Sequence, residues 1–170
     1  MRTSCIIFAG LMFCLVGFLS TPAISFDNEP KGFRDIEWGS NISGLADMSV
    51  FFSQRDAKLC SRKADKMAIG DAALDKIVYV FYKDQFTGVM ITFHSLSTFQ
   101  ALKGILFEQY GKGEQPDQFK DKYLWMGDTA MIRLDFNPVS HEGNLSFRSI
   151  ALLNQQQIDE KERAEAKGNL

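Results

Sequence analysis

Few residues in this chain could serve as nucleophile, base or metal ligand. It holds three cysteines and two histidines, His94 and His141. Cys5 and Cys14 fall in an apolar N-terminal stretch, which leaves Cys60 as the one thiol of the remaining body. A thiolate beside an imidazolium is an activated nucleophile, so Cys60 with His94 is the sharpest enzymatic pairing on offer, that of a small thiol enzyme or hydrolase. The plain alternative is a buried thiol, because free cysteine is among the most buried residue types, and a surface histidine. Cys60 lies in no recognisable nucleophile context, and the chain carries neither a Gly-x-Ser-x-Gly elbow nor a Gly-rich phosphate loop.

Metal and cofactor chemistry find equally little support. A structural zinc site takes four nitrogen, sulfur or oxygen ligands, which would require Cys60, both histidines and a carboxylate, with no paired spacing to join them. His141-Glu142 lacks the second histidine at helical spacing that a zinc protease motif needs, and Asp84 to Gly88 does not reproduce a calcium loop. No metal and no cofactor are expected. Asp56, Asp65, Asp71 and Asp75 could supply a facing acid and base, or they are solvated loop charge. Trp38 and Trp125 either pack in the core or anchor a partner, since tryptophan is enriched at binding hot spots.

The elements that would position these groups follow from periodicity. Phe33–Trp38 reads as a short first strand, and Asn41 or Ser43 can cap a brief helix reaching about Met48. Phe51 to Met67 gives a strand at 58–62 within loop. Lys76–Tyr82 and Val89–Phe93, rich in β-branched and aromatic residues, form a strand pair around a hairpin loop at 83–88. Ser97 and Gln100 make a capping box for a helix whose stripe is Phe99, Leu102, Leu106 and Tyr110, closed by Gly111. Tyr123–Trp125, Thr129–Phe136 and Leu145–Leu153 are the closing strands. Within them Arg133 and Asp135 alternate with Ile132, Leu134 and Phe136, which makes one face wet. Residues 154–170 form a polar, helical tail.

The first 25 residues have the character of a secretory signal peptide: Arg2 as the leading charge, an uncharged run from Cys5 to Leu19, and a small-x-small site at Ala23-Ile24-Ser25. The run is too short to favour a spanning helix, so the mature chain begins near Phe26 with no membrane span and works in the periplasm or outside the cell. Leu11-Met12-Phe13-Cys14 looks superficially like a lipoprotein site, but bulky Phe13 stands where that processing wants a small side chain. Asn41-Ile42-Ser43 and Asn144-Leu145-Ser146 are glycan acceptors only if a eukaryote made the protein. The chain has 19 basic and 21 acidic residues, and the leader removes one basic group. A balance so close to neutral does not point to nucleic acid or an anionic membrane as partner.

The body, residues 26–153, is one α+β domain: an antiparallel sheet with two helices on one face. Its order repeats. Ser43 and Ser97 lie 54 residues apart, as do Ile77 and Met131, which suggests a tandem duplication of a helix-plus-three-strand unit with pseudo-halves at about 33–94 and 95–153. That order resembles the β-lactamase-inhibitor-protein-like fold, a likeness of topology over residues 33–153. Gly32-Phe33-Arg34, Trp38-Gly39, Phe81-Tyr82, Tyr110-Gly111 and Trp125-Met126-Gly127 are similar to a pattern in uncharacterised secreted bacterial proteins. The first resemblance implies a surface that binds another protein. The expected function is a non-enzymatic binding module for an envelope or secreted protein, or for a small apolar ligand. Its surface would be the wet sheet face near Arg133 and Asp135, with Trp38 and Trp125 as anchors.

Overall fold

The computed structural model describes residues 26–168, and the expected leader lies outside them. Along the chain run β1 (Gly32–Phe33), β2 (Ile36–Glu37), a 3-10 turn (Ile42–Gly44), β3 (Met48–Gln54), β4 (Ala57–Arg62), β5 (Ala68–Ile69) and β6 (Ala72–Ala73). There follow β7 (Lys76–Tyr82), β8 (Gln85–His94), α1 (Leu96–Tyr110), β9 (Lys122–Met126), β10 (Ala130–Asn137), β11 (Glu142–Ser149) and α2 (Ile150–Gly168). Seven strands form one antiparallel sheet in the order β3-β4-β7-β8-β11-β10-β9, while β1-β2 and β5-β6 are small separate hairpins. The class is α+β, as expected.

The β7–β8 hairpin sits at the heart of the sheet. Lys83 and Asp84 both have positive φ, 48° and 64°, the backbone of a two-residue primed turn whose twist matches the flanking strands. The turn is therefore shorter than the loop at 83–88 suggested by Asp84 and Gly88. Gly88 is a strand residue level with Val80 and Arg148, where a Cβ would stand 2.5 Å from the Phe147 carbonyl oxygen.

One face of the sheet carries the core: Ile77, Tyr79, Phe81, Phe86, Val89, Ile91, Phe93, Ile132, Leu134, Leu145 and Phe147 are buried there with Phe99, Leu102 and Leu106 of α1. Phe99 stacks on Phe136 with ring centroids 5.3 Å apart. Burying each such side chain stabilises the fold by roughly 1.5–3 kcal/mol. The α1 cap is Ser95, whose hydroxyl accepts from the Thr98 N–H at 3.2 Å. Ser97 instead lies inside the first turn, because the strand ends at His94 and leaves Ser95 as the first non-helical residue.

Three expectations about helices are corrected. The segment at Asn41 gives only a 3-10 turn: Asn41 does accept from Ser43 N–H, but Met48 already starts β3. The second long helix is α2, which starts at Ile150, so the last strand stops at Ser149 rather than Leu153. The two helices are not on one face. Side chains alternate along β7, so Val80 and Tyr82 face away from the Tyr79–Phe81 core. It is beside Val80 that Leu153 and Gln156 lie, and Tyr82 donates to Asp159 at 2.8 Å. In the expected repeat β4-β7-β8 mirrors β9-β10-β11 about the central β8–β11 pair. The three-residue turn is no match for the fifteen-residue α1, and this order does not establish a duplication.

Candidate functional site

Strands β4 and β7 pair from Ala57↔Tyr82 to Cys60↔Tyr79, and there the ladder ends. Both strands continue: β4 runs on through Ser61 and Arg62, still paired with Ser49 and Met48 of β3. On the other side Lys76, Ile77 and Val78 remain paired with β8. The segment between them, which holds the β5–β6 hairpin, leaves from this fork. The strands splay, and the gap is a cleft of about 380 Å³ lined by Phe51, Arg62, Asp65, Met67, Asp75 and Lys76, with Ser61 and Ile77 on its walls.

Local sequence shapes the cleft at each point. The β3–β4 register shifts between Val50 and Phe52, and a bulge of this kind re-aims a side chain and twists the strand. Here the extra residue is Phe51, 52 % exposed, with its ring 5.3 Å from Lys76 Nζ. Val50, Phe52 and Met67 are exposed as well. β3 is an outer strand, and Met48–Gln54 contains no charged residue, the usual protection of an open edge. The opposite edge is treated differently: Glu114 and Leu124 exchange two backbone hydrogen bonds of 2.8 Å, which cover β9.

Ion pairs hold the walls. Arg62 pairs with Asp35 through both terminal nitrogens, one at 2.7 Å, and with Asp47 through Nε at 2.5 Å. Arg62 keeps the Asp35 carboxyl down at about 2, and the two carboxylates raise the Arg62 pKa in turn. Asp65 pairs with Arg34 and accepts from the Tyr79 hydroxyl at 2.9 Å; burial pushes the Tyr79 phenol up. Arg34 also donates to the Lys66 carbonyl at 2.5 Å, tying the cleft loop to the β1–β2 hairpin.

The sequence-derived site residues are dispersed. Cys60 is fully buried in the core, and burial pushes its thiol pKa up, the reverse of what a nucleophile needs. It is level with Tyr79 and Val89, and His94 lies five residues further along β8. At ~3.3 Å per residue that is ~16 Å along the strand alone, far beyond the ~3 Å of proton transfer. The structure does not bring Cys60 and His94 together. His94 is exposed, with Nδ1 at 2.5 Å from Asp75 and Nε2 at 3.7 Å from Glu142; the Asp75 contact raises its pKa. His141 occupies the β10–β11 turn with φ of 60°.

The expected binding quartet is also not a single surface. Trp125 is buried opposite Ile132 and donates to the Gly111 carbonyl at 2.8 Å. Trp38 stacks on Phe86 at 5.2 Å and donates to the Pro30 carbonyl at 2.9 Å. Both tryptophans are packing residues. Arg133 and Asp135 form an ion pair of 2.9 Å on the other face of β10 from Ile132. The residues that sequence reasoning missed are Phe51, Met67 and Lys76. The signal for Phe51 was the run Val50-Phe51-Phe52 between serines, apolar yet with no period that would bury it.

Among the described residues no group of three or more histidine, cysteine, aspartate and glutamate side chains converges to hold a metal ion, and no helix is long and apolar enough to cross a membrane. Comparison with family models, characterised proteins and solved structures gives no match for the chain.

Proposed function

We propose that this protein is a non-enzymatic binding module of the periplasm or extracellular space, and that the cleft between β4 and β7 receives an extended segment of another polypeptide. The observation that carries this reading is the β4–β7 ladder, which stops at Cys60↔Tyr79 while both strands run on. Beyond that rung the backbone groups of Arg62 and Ile77 face one another across the fork without pairing. An extended peptide satisfies such edges by adding a strand, main-chain hydrogen bonds giving affinity and side-chain pockets giving specificity. Phe51, Met67 and Ile77 supply the apolar surface for that pocket.

The volume, near the low end of the ~300–1,000 Å³ range of ligand sites, suits one or two side chains rather than a large cofactor. The thiol-enzyme alternative gains no support, with Cys60 sealed in the core and distant from His94.

Selection of a displayed random-peptide library on the purified protein tests the reading. Selected peptides bind the wild type and lose binding to Phe51→Asp, a change at an exposed position that leaves the circular dichroism melt intact. Peptides that bind Phe51→Asp unchanged would contradict it.

A further inference from the structure

The charges of the cleft are unequally committed, and this narrows its ligand. Arg62 is held by Asp35 and Asp47, and the Asp65 carboxylate by Arg34 and Tyr79. Asp75 is held by His94. Lys76 differs: among the described residues its ammonium faces no carboxylate within ion-pair distance, and its partner is the Phe51 ring. A lysine on an aromatic face keeps most of its capacity to bind an anion, because the ring satisfies it only through a quadrupole. The cleft therefore offers an uncommitted cation at the rim of an apolar hollow made by Phe51, Met67 and Ile77.

Resting on the proposed peptide-binding function, we infer that the cleft takes the C-terminal end of a polypeptide, its free carboxylate on Lys76 Nζ and a large apolar last side chain against Phe51 and Met67. The backbone of an internal segment has no charge to give Lys76, whereas a terminal carboxylate supplies one whatever the side chains of the peptide. A basic terminus is disfavoured, since both aspartates of the lining are already paired. Lys76 is the first residue of β7 and exposed, so it can be changed without disturbing the core.

The test is an array of decapeptides ending in Leu, Ile, Val, Phe or Met, each made as free acid and as C-terminal amide, measured by fluorescence anisotropy. Acids bind the wild type about fivefold tighter than amides, the scale of one partly screened ion pair. Lys76→Gln abolishes the difference, and Phe51→Ala weakens both forms. Acids and amides that bind equally would overturn the carboxylate assignment and leave the peptide-binding reading standing; so would an acid preference that survives Lys76→Gln. Failure of every peptide of either form, with displayed internal sequences also failing, would remove both. If laurate binds while no decapeptide does, the polypeptide assignment is overturned in favour of a fatty-acid carboxylate.

Discussion

Cys60 and Tyr79 form the last rung of the β4–β7 ladder, and both are fully buried at the point where the strands part. The thiol thus closes the inner end of the cleft as a packing group. Its surroundings push the pKa up, so little thiolate is present at neutral pH.

From this follows a labelling outcome. Iodoacetamide at neutral pH leaves Cys60 unmodified in the folded protein and alkylates it once denaturant is added, as read by peptide mass. Rapid stoichiometric labelling of Cys60 in the native state would contradict the buried-thiol account and revive a nucleophilic role.

His94 titrates above its ordinary value, because Asp75 accepts from its ring and favours the charged form. The sign of the linkage is fixed by that direction. The contact adds stability that is fully present below the ordinary histidine value of about 6.5 and is lost as pH rises through the higher folded value. Nuclear magnetic resonance titration of the His94 ring reads the raised pKa directly, and Asp75→Asn brings it down. An unchanged His94 titration in Asp75→Asn would show that the contact does not exist in solution.

The C-terminal helix is latched by Asp159, which accepts from Lys83 Nζ at 2.7 Å and from the Tyr82 hydroxyl at 2.8 Å. Arg163 adds Asp56 at 3.0 Å and Tyr82 at 2.5 Å. The Lys83 and Tyr82 contacts hold the Asp159 carboxyl down at about 2, while burial and Asp159 push the Tyr82 phenol up to about 12. The Asp159 contribution is present above the ordinary carboxylate value and lost as pH falls towards 2. Asp159→Asn accelerates amide exchange along 152–163 at neutral pH, with β7 and β8 unaffected. Equal exchange in variant and wild type would show that the Asp159 contacts do not hold α2.

Two glycine substitutions should have opposite signs. Gly88→Ala places a methyl 2.5 Å from the Phe147 carbonyl oxygen, backbone that cannot swing away, and costs about 1–3 kcal/mol. Gly104 sits within α1 with open space around it, so Gly104→Ala gains about 0.5–1 kcal/mol from helix propensity. Chemical denaturation of both variants separates them, and a Gly88→Ala protein as stable as the wild type would contradict the described β8–β11 packing.

What the sequence made legible is what depends on neighbours along the chain. Lys76–Tyr82 is a strand over the expected residues, and Phe99, Leu102 and Leu106 are buried at helical spacing with Gly111 ending the helix. Strand β3 was hidden because the bulge at Phe51 breaks the two-residue alternation by which a strand is recognised. The switch from β11 to α2 was hidden because Ile150 to Leu153 is uniformly apolar and fits either period. The site was least legible. It arises where two strands distant in sequence stop pairing, and no local pattern around Ser61 or Lys76 records that their ladder ends at Cys60.

The central claim is that the fork of β4 and β7 binds an extended peptide, and amide hydrogen exchange with a selected peptide bound tests it most directly. The account expects slowed exchange at Arg62 and Ile77, whose N–H groups face the fork, with the amides around Arg133 and Asp135 unchanged. Protection confined to the Arg133–Asp135 face, or absent from both walls of the cleft, would contradict it.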